Sequence, residues 1–121
     1  MDLFQFGEFT SHSGLVLPWK FDADALSDGS IEALAQLIAS KLTFGEVYGI
    51  PRGGLRLAEA LRPYVVQRGP WLIVDDVLTT GQSMRDARDF LPMPSIGVVI
   101  LARGVCPYWV QAIMYVGEWA R

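Results

Sequence analysis

The sequence is poor in several features that would otherwise point to a cellular setting. It has one cysteine, Cys106, so no disulfide can form within the chain and no cysteine cluster indicates zinc. No apolar run approaches the roughly 18 residues of a membrane span. The start, MDLFQFGEF, lacks the basic region and continuous apolar stretch of a signal peptide. We therefore expect a cytoplasmic protein that does not attach to a membrane.

Neither sign of charge is in large excess. The chain has ten basic and 13 acidic residues, which gives a net charge of −3. Such a surface has no general attraction for nucleic acid, so we expect none as a partner, and any anionic ligand must be bound by a local site. At 121 residues and 51% hydrophobic content, the chain fits one compact domain with a core.

Apolar segments of two kinds alternate along the chain. A helix is predicted from Ser30, as its N-cap, to Leu42. Further helices are predicted at 55–64 and 82–90, and strands at 46–50, 71–74, 95–102 and 112–117. This alternation predicts an α/β fold, an open three-layer sandwich with a mostly parallel sheet of about four to five strands, both faces covered and right-handed crossovers.

Two unusual loops are predicted at the carboxyl ends of strands, at residues 51–54 and 75–81. Ligands of open α/β sheets bind at that edge. The candidate site therefore lies there.

The second loop has the composition of a phosphate cradle. A glycine turn that enters a helix presents unpaired backbone N–H groups, and the helix dipole adds positive potential. Hydroxyl groups supply further donors. The alternative is that the hydroxyl residues only cap the helix. The candidate phosphate-binding residues are Thr79, Thr80, Gly81, Gln82 and Ser83.

Asp75 and Asp76 precede this loop directly. Adjacent carboxylates repel each other and are costly to desolvate unless a ligand occupies them. Ribose hydroxyls or a Mg²⁺ ion would do so. The alternative is that Asp76 caps a turn and Asp75 is solvated.

Three other phosphate-related sites are excluded by the letters of the sequence. A P-loop needs a lysine after its glycines, and no lysine follows Lys41; the dinucleotide motif GxGxxG is absent. A phospho-receiver domain would place its acids near the N-terminus, with another strand-end aspartate and a lysine downstream. Only Asp86 and Asp89 follow here, within a predicted helix.

The stretch WLIVDDVLTTGQS, residues 71–83, resembles the signature of the type I phosphoribosyltransferases. The resemblance implies that residues 79–83 bind the 5′-phosphate of phosphoribosyl pyrophosphate and that Asp75 and Asp76 engage the ribose hydroxyls. It also implies Mg²⁺, held mainly through the ligand with Asp75 and Asp76 as the protein groups nearest to it.

The first loop is similar to the family's pyrophosphate loop. It consists of Pro51, Arg52, Gly53 and Gly54. Its glycines let the backbone approach an anion, and Arg52 offers a forked donor for pyrophosphate. The alternative is an ordinary turn with a surface arginine. With the two acids, Arg52 completes the set of candidate catalytic residues.

Residues 6–22 are similar to the N-terminal segment of orotate phosphoribosyltransferases, which forms part of a hood over the base. On this resemblance, residues 1–28 are the hood segment and residues 29–121 the α/β core of a single domain. Trp19 becomes a stacking surface for a base. Arg103 either takes the place of an arginine that holds the orotate carboxylate or is a solvated charge at the end of a strand. His12 replaces the family's lysine and is either a base contact or a surface residue.

One departure from the family is large. Orotate enzymes carry a mobile lid before the signature strand, whereas this chain has only PYVVQRGP, the eight residues 63–70. Cover for the site would have to come from Arg68 or a neighbouring subunit. The family is commonly dimeric, and we read the aromatic-rich segment 106–121 as core plus a subunit interface.

The resemblance implies a pentosyltransferase that joins ribose 5-phosphate to a nucleobase, orotate or a related pyrimidine, in pyrimidine biosynthesis or salvage. The alternative, favoured by the missing lid, is a non-catalytic module that binds phosphoribosyl pyrophosphate or a nucleotide as a signal.

Overall fold

The computed structural model describes residues 2–10, 16–92 and 94–116. A two-stranded hairpin, β1 and β2, precedes a four-stranded sheet, β3 to β6, with three α-helices. Short 3-10 helices lie at Ala23–Ala25 and Arg62–Tyr64. The elements are β1 Phe4–Thr10, β2 Val16–Phe21, α1 Asp28–Lys41, β3 Glu46–Gly49, α2 Leu55–Leu61, β4 Trp71–Leu78, α3 Gln82–Phe90, β5 Ser95–Ala102 and β6 Val110–Tyr115.

The sheet has the strand order β3-β4-β5-β6, and every neighbouring pair is parallel. Its two central strands, β4 and β5, are almost wholly buried because helices cover both of their faces. The parallel sheet predicted from the apolar segments is confirmed, with four strands.

Separate hydrophobic clusters lie on the two faces of the sheet. On one face, Ile38 of α1 and Leu61 of α2 belong to the same cluster as Leu72. On the other face, Met84 of α3 packs with Ile73. The chain therefore forms the predicted three-layer sandwich, with α1 and α2 on one side and α3 on the other.

The two crossovers that contain α2 and α3 have opposite hands. Both step in the same direction across the sheet, from β3 to β4 and from β4 to β5, yet their helices lie on opposite faces. The expectation that every crossover is right-handed is therefore wrong for one of them. Packing against α1 holds α2 on its face, where Leu57, Ala58 and Leu61 are buried.

Helix α1 begins two residues before the predicted N-cap. Ser27, not Ser30, is the N-cap, and its side chain accepts a hydrogen bond from the backbone N–H of Ser30 at 3.1 Å. Ser27 has extended backbone angles, as an N-cap requires. The predicted cap at Ser30 is therefore wrong, and Ser30 lies in the first turn.

Strand β4 is longer than the sequence predicted. It continues through both acids to Leu78 because β5 pairs with it over this length, with Asp75 opposite Val99 and Leu78 opposite Ala102. The prediction of a loop over 75–81 is therefore wrong for 75–78, and only residues 79–81 connect β4 to α3. In contrast, the bounds of α3 and β5 agree with the prediction.

The short connection between α2 and β4 lies at the amino edge of the sheet. Val66 N–H donates to the Phe44 carbonyl at 2.9 Å, and Gly45 N–H donates to the Pro70 carbonyl at 2.8 Å, both next to the start of β3. The eight residues of β4 separate this edge from the carboxyl edge by roughly 25 Å, at about 3.3 Å per strand residue. Arg68 therefore cannot cover a site at the carboxyl edge, and the expectation that it supplies cover there is wrong.

Strand β3 is at the edge of the sheet, and a side chain bonds to its outer side. Arg62 Nη1 donates to the Val47 carbonyl at 3.1 Å, while Arg62 Nε pairs with Glu59 at 3.0 Å. The outer edge of this strand is thus partly occupied.

The N-terminal hairpin and the segment that follows it are both attached to the core. Phe21 is buried in the cluster that also contains α1 and α2. Arg56 of α2 donates to the carbonyls of Ala23 and Leu26 at 3.2 and 3.0 Å, and it pairs with Asp28 at 3.1 Å. Within the described residues, no helix is long and apolar enough to cross a membrane.

Candidate phosphoribosyl site

A cleft of about 890 Å³ lies between the hairpin and the carboxyl edge of the sheet. Both loops singled out in the sequence line it, together with the end of β4 and one side of the hairpin. Its polar and charged lining residues are Thr10, Lys20, Asp22, Asp24, Arg52, Arg56, Asp75, Asp76, Thr79, Thr80, Gln82, Ser83, Asp86 and Arg103. The structure thus brings together the candidate phosphate, ribose and pyrophosphate residues.

The paired acids lie on β4 itself and are bonded to its backbone. Asp75 accepts a hydrogen bond from Asp76 N–H, and Asp76 accepts one from Val77 N–H, both at 2.8 Å. The Asp75 residue is only 8% exposed, which rules out the solvated alternative. Burial, and next the neighbouring Asp76 carboxylate, raise the pKa of Asp75 to about 8.

Glycines allow the loop at 51–54 to approach β4 closely. A Cβ atom on Gly53 would collide with the Asp76 carboxylate, and one on Gly54 would collide with the Val74 carbonyl oxygen. The loop at 51–54 is braced by a 2.9 Å hydrogen bond from Gly54 N–H to the Ile50 carbonyl. The glycines therefore bring this loop into contact with the acids.

Arg52 extends from this loop as an exposed residue that lines the cleft. Within the part of the chain that the structure describes, its guanidinium has no ion pair. An anion in the cleft can therefore bind Arg52 without displacing a carboxylate.

The phosphate loop enters α3 at Gly81, which has a φ of 83° and supplies no side-chain cap. Thr80 Oγ1 accepts weakly from Gln82 N–H at 3.3 Å. The Gln82 side chain instead donates to Asp86 at 2.8 Å. Capping therefore accounts for Thr80 alone. The N-terminus of α3 lines the cleft, where its backbone N–H groups are available to an anion.

The residues predicted to hold the base are arranged differently from the expectation. The Arg103 guanidinium carbon lies 3.3 Å from the centre of the Trp19 ring, and Nη1 donates to the Trp19 carbonyl at 2.7 Å. Arg103 lines the cleft, but one face of the Trp19 ring is covered by it. Burial lowers the pKa of Arg103. His12 lies outside the described residues.

Four of the hairpin's described residues line the cleft without having been predicted as site residues: Phe9, Thr10, Lys20 and Phe21. Among them, Lys20 Nζ lies 5.3 Å from the centre of the Phe9 ring. Alternation along β2 was the available signal, since side chains of residues 19 and 20 must point to opposite faces of a strand.

A magnesium ion fits this site only together with a bound molecule that supplies further oxygen ligands to the metal. Among the described residues, no group of three acids, histidines or cysteines can hold a metal. Mg²⁺ commonly uses one or two carboxylates together with substrate phosphates and waters. Asp75 and Asp76 can supply that protein share.

No family model and no curated protein matches the chain, but solved structures do. The orotate phosphoribosyltransferase of Aeropyrum pernix matches with a TM-score of 0.71 at 18% identity, over 94% of this chain and 88% of that one. That of Mycobacterium tuberculosis H37Rv, in a complex with Fe(III) dicitrate, gives 0.63 at 14% identity, over 93% and 89%.

The UMP synthase of Leishmania donovani matches with a TM-score of 0.73 at 19% identity, where 94% of this chain covers 34% of that one. These likenesses confirm the fold predicted from the motif, that of the orotate phosphoribosyltransferases.

Proposed function

We propose that the protein is a phosphoribosyltransferase, which transfers ribose 5-phosphate from phosphoribosyl pyrophosphate to a nucleobase and releases pyrophosphate. The observation that carries the proposal is the convergence of two loops on the paired acids. Gly53 touches Asp76, and the uncapped start of α3 opens into the same cleft. A site for phosphate alone would not need two acids and a second anion loop.

Each part of the donor has a partner in this arrangement. The N–H groups at the start of α3 would bind the 5′-phosphate. Asp75 and Asp76 would accept hydrogen bonds from the ribose hydroxyls, and Arg52 would bind the departing pyrophosphate through its forked donors. When bound, Mg²⁺ would neutralise charge on the pyrophosphate.

Catalysis then depends on charge and position. The transition state of the transfer resembles an oxocarbenium ion, so a cation beside the leaving pyrophosphate lowers the barrier. The hairpin wall would hold the acceptor nitrogen opposite the leaving group. For the acceptor we propose orotate or a related pyrimidine, because the fold is that of orotate phosphoribosyltransferases.

The test is release of pyrophosphate from phosphoribosyl pyrophosphate and Mg²⁺ with a panel of bases. We expect base-dependent release in the wild type and its loss in Asp75→Asn and Arg52→Ala. Arg68→Ala is a matched control, because Arg68 lies at the opposite edge of the sheet. A protein that binds the donor in calorimetry but releases no pyrophosphate with any base would overturn the proposal.

The second candidate is a non-catalytic module that binds the same donor, or a nucleotide, as a signal. It is favoured by the short link between α2 and β4, which leaves the cleft without cover from that segment. Water exclusion matters to a transferase and not to a sensor. Tight donor or nucleotide binding without turnover would select this candidate.

A further inference from the structure

Four basic side chains line the cleft, and two of them are already engaged. Arg56 bonds to two carbonyls and Asp28, and Arg103 is stacked on Trp19 and bonded to its carbonyl. Arg52 belongs to the pyrophosphate loop. Lys20 is the remaining cation.

Lys20 is placed on the hairpin wall by the geometry of β1 and β2. It pairs with Gln5 across the hairpin, and a register shift between Phe6 and Phe9 follows. The shift brings the Phe9 ring to 5.3 Å from the Lys20 ammonium, and both residues line the cleft beside Thr10. Lys20 is exposed, and no carboxylate of the described residues forms a salt bridge with it.

We propose that Lys20 determines acceptor specificity by binding an acidic substituent of the base, with the Phe9 ring as the apolar surface beneath it. This inference rests on the proposed transferase function. The Phe9 ring lies 5.3 Å from the ammonium and provides an apolar surface for a planar base. A carboxylate that reaches Lys20 forms an ion pair in which donor and acceptor are both charged, whereas a base without an acidic substituent has no negative charge to offer.

The family resemblance assigns this carboxylate to Arg103. In the structure, Arg103 instead bonds to and stacks on Trp19 of the hairpin. Its guanidinium is held in place by the 2.7 Å hydrogen bond from Nη1 to the Trp19 carbonyl and by stacking on the ring, so an acceptor can use only its remaining N–H groups and cannot draw it further into the cleft without breaking these contacts. Among the described residues, the Lys20 side chain has no hydrogen bond or ion pair to break. Arg103 is therefore a positioning residue, which fixes the hairpin that carries Lys20.

The experiment measures pyrophosphate release with orotate and with uracil at saturating phosphoribosyl pyrophosphate and Mg²⁺. For Lys20→Met we expect the KM for orotate to rise about tenfold or more, the loss of one charged hydrogen bond, with uracil unaffected. Lys20→Arg should restore most of the orotate preference. Lys41→Met is the control, because Lys41 is the chain's other lysine and lies at the end of α1.

Arg103→Met tests the division of roles. It should weaken the use of both bases to a similar degree and lower the hydrogen-exchange protection of β1 and β2. An orotate-selective defect in Arg103→Met, with Lys20→Met unchanged, would overturn the proposal.

The remaining outcomes separate this proposal from the proposed function. If the wild type turns over orotate and Lys20→Met keeps the wild-type ratio of orotate to uracil use, Lys20 has no such role and the transferase stands. If the wild type turns over neither base nor any other, both proposals fall. If thermal unfolding shows that Lys20→Met is misfolded, Lys20→Gln is measured in its place, with the same two outcomes.

Discussion

At the scale of single residues, the close approach of Gly53 to Asp76 couples the loop at 51–54, the proposed pyrophosphate loop, to the paired acids. We predict that Gly53→Ala weakens binding of phosphoribosyl pyrophosphate about tenfold or more, because the added methyl must displace either the carboxylate or the loop. Calorimetric titration with the donor and Mg²⁺ measures the effect.

Gly29 provides the matched control for this substitution. A Cβ atom there meets only the Ser27 hydroxyl, at 3.8 Å, and alanine is the better helix former. Gly29→Ala should bind the donor as the wild type does and be at least as stable. Equal donor affinity in Gly53→Ala and the wild type would show that the loops do not need their close contact.

The raised pKa of Asp75 predicts a pH dependence of stability. In the unfolded chain its pKa is about 4, and in the folded chain it is about 8. The folded state therefore holds a proton that the unfolded state releases, so the stabilisation present below pH 4 is lost as the pH rises towards 8.

Asp75→Asn keeps the shape of the protonated acid and removes its titration. Between pH 5 and pH 8, we expect the free energy of unfolding of the wild type to fall relative to that of Asp75→Asn, by about 1 kcal/mol per pH unit. Urea unfolding at several pH values measures the difference. Parallel pH profiles of the two proteins would mean that Asp75 titrates normally.

The candidate site residues could be identified from the sequence to different degrees. Asp75 and Asp76 stood out because two adjacent carboxylates after four apolar residues are costly to desolvate unless a ligand binds them. The contact between Trp19 and Arg103 was not found, because it joins residues 84 positions apart and no local pattern encodes it. Lys20 could have been placed on the face of β2 opposite to Trp19 by strand alternation, but that this face borders the cleft is shown only by the structure.

At the scale of elements, the N-cap of α1 provides a prediction with an internal control. Ser27→Ala should lower the free energy of unfolding by about 1 kcal/mol, since it removes the acceptor for the Ser30 N–H. Ser30→Ala should change it by only a few tenths, because the Ser30 hydroxyl makes one exposed contact, with the Ser27 hydroxyl. Denaturant unfolding of both variants measures this, and equal losses would contradict the assignment of the cap.

The ends of helices and strands were predictable where a glycine or a proline stands at them. Gly81 is the N-cap of α3 and Pro92 follows its C-terminal end, so the predicted and observed bounds agree. The end of β4 has no such mark. Acids are poor strand formers, but pairing with β5 outweighs that preference, and the strand continues to Leu78.

At the scale of the whole molecule, the three layers were predictable from the sequence, but the face of the sheet on which each crossover helix lies was not. Apolar periodicity encodes which segments are buried, and it correctly gave a parallel sheet between helices. The hands of the crossovers depend on which face each helix covers, and here contact with α1 decides the face of α2. Which segments lie near the cleft is equally a matter of the whole fold. Arg68, which the sequence left as a candidate to cover the site, lies at the opposite edge of the sheet.

The bond from Arg62 to the outer side of β3 has a consequence for self-association. An open strand edge is a template on which another chain can add a strand, and natural proteins obstruct such edges with charged side chains. Arg62 occupies the Val47 carbonyl and places a charge beside it. An incoming strand would have to displace this bond, so we expect Arg62 to hinder edge-to-edge association through β3.

We predict that Arg62→Met increases concentration-dependent aggregation, as measured by light scattering over a dilution series. Arg68→Met removes the same charge from the same link between α2 and β4 but no hydrogen bond to a described residue, so it should scatter as the wild type does. If both variants aggregate alike, net charge and not strand protection keeps the protein in solution. The residue that ends α2 thus also obstructs the outer side of β3, so a substitution far from the cleft is expected to alter self-association without altering the candidate site.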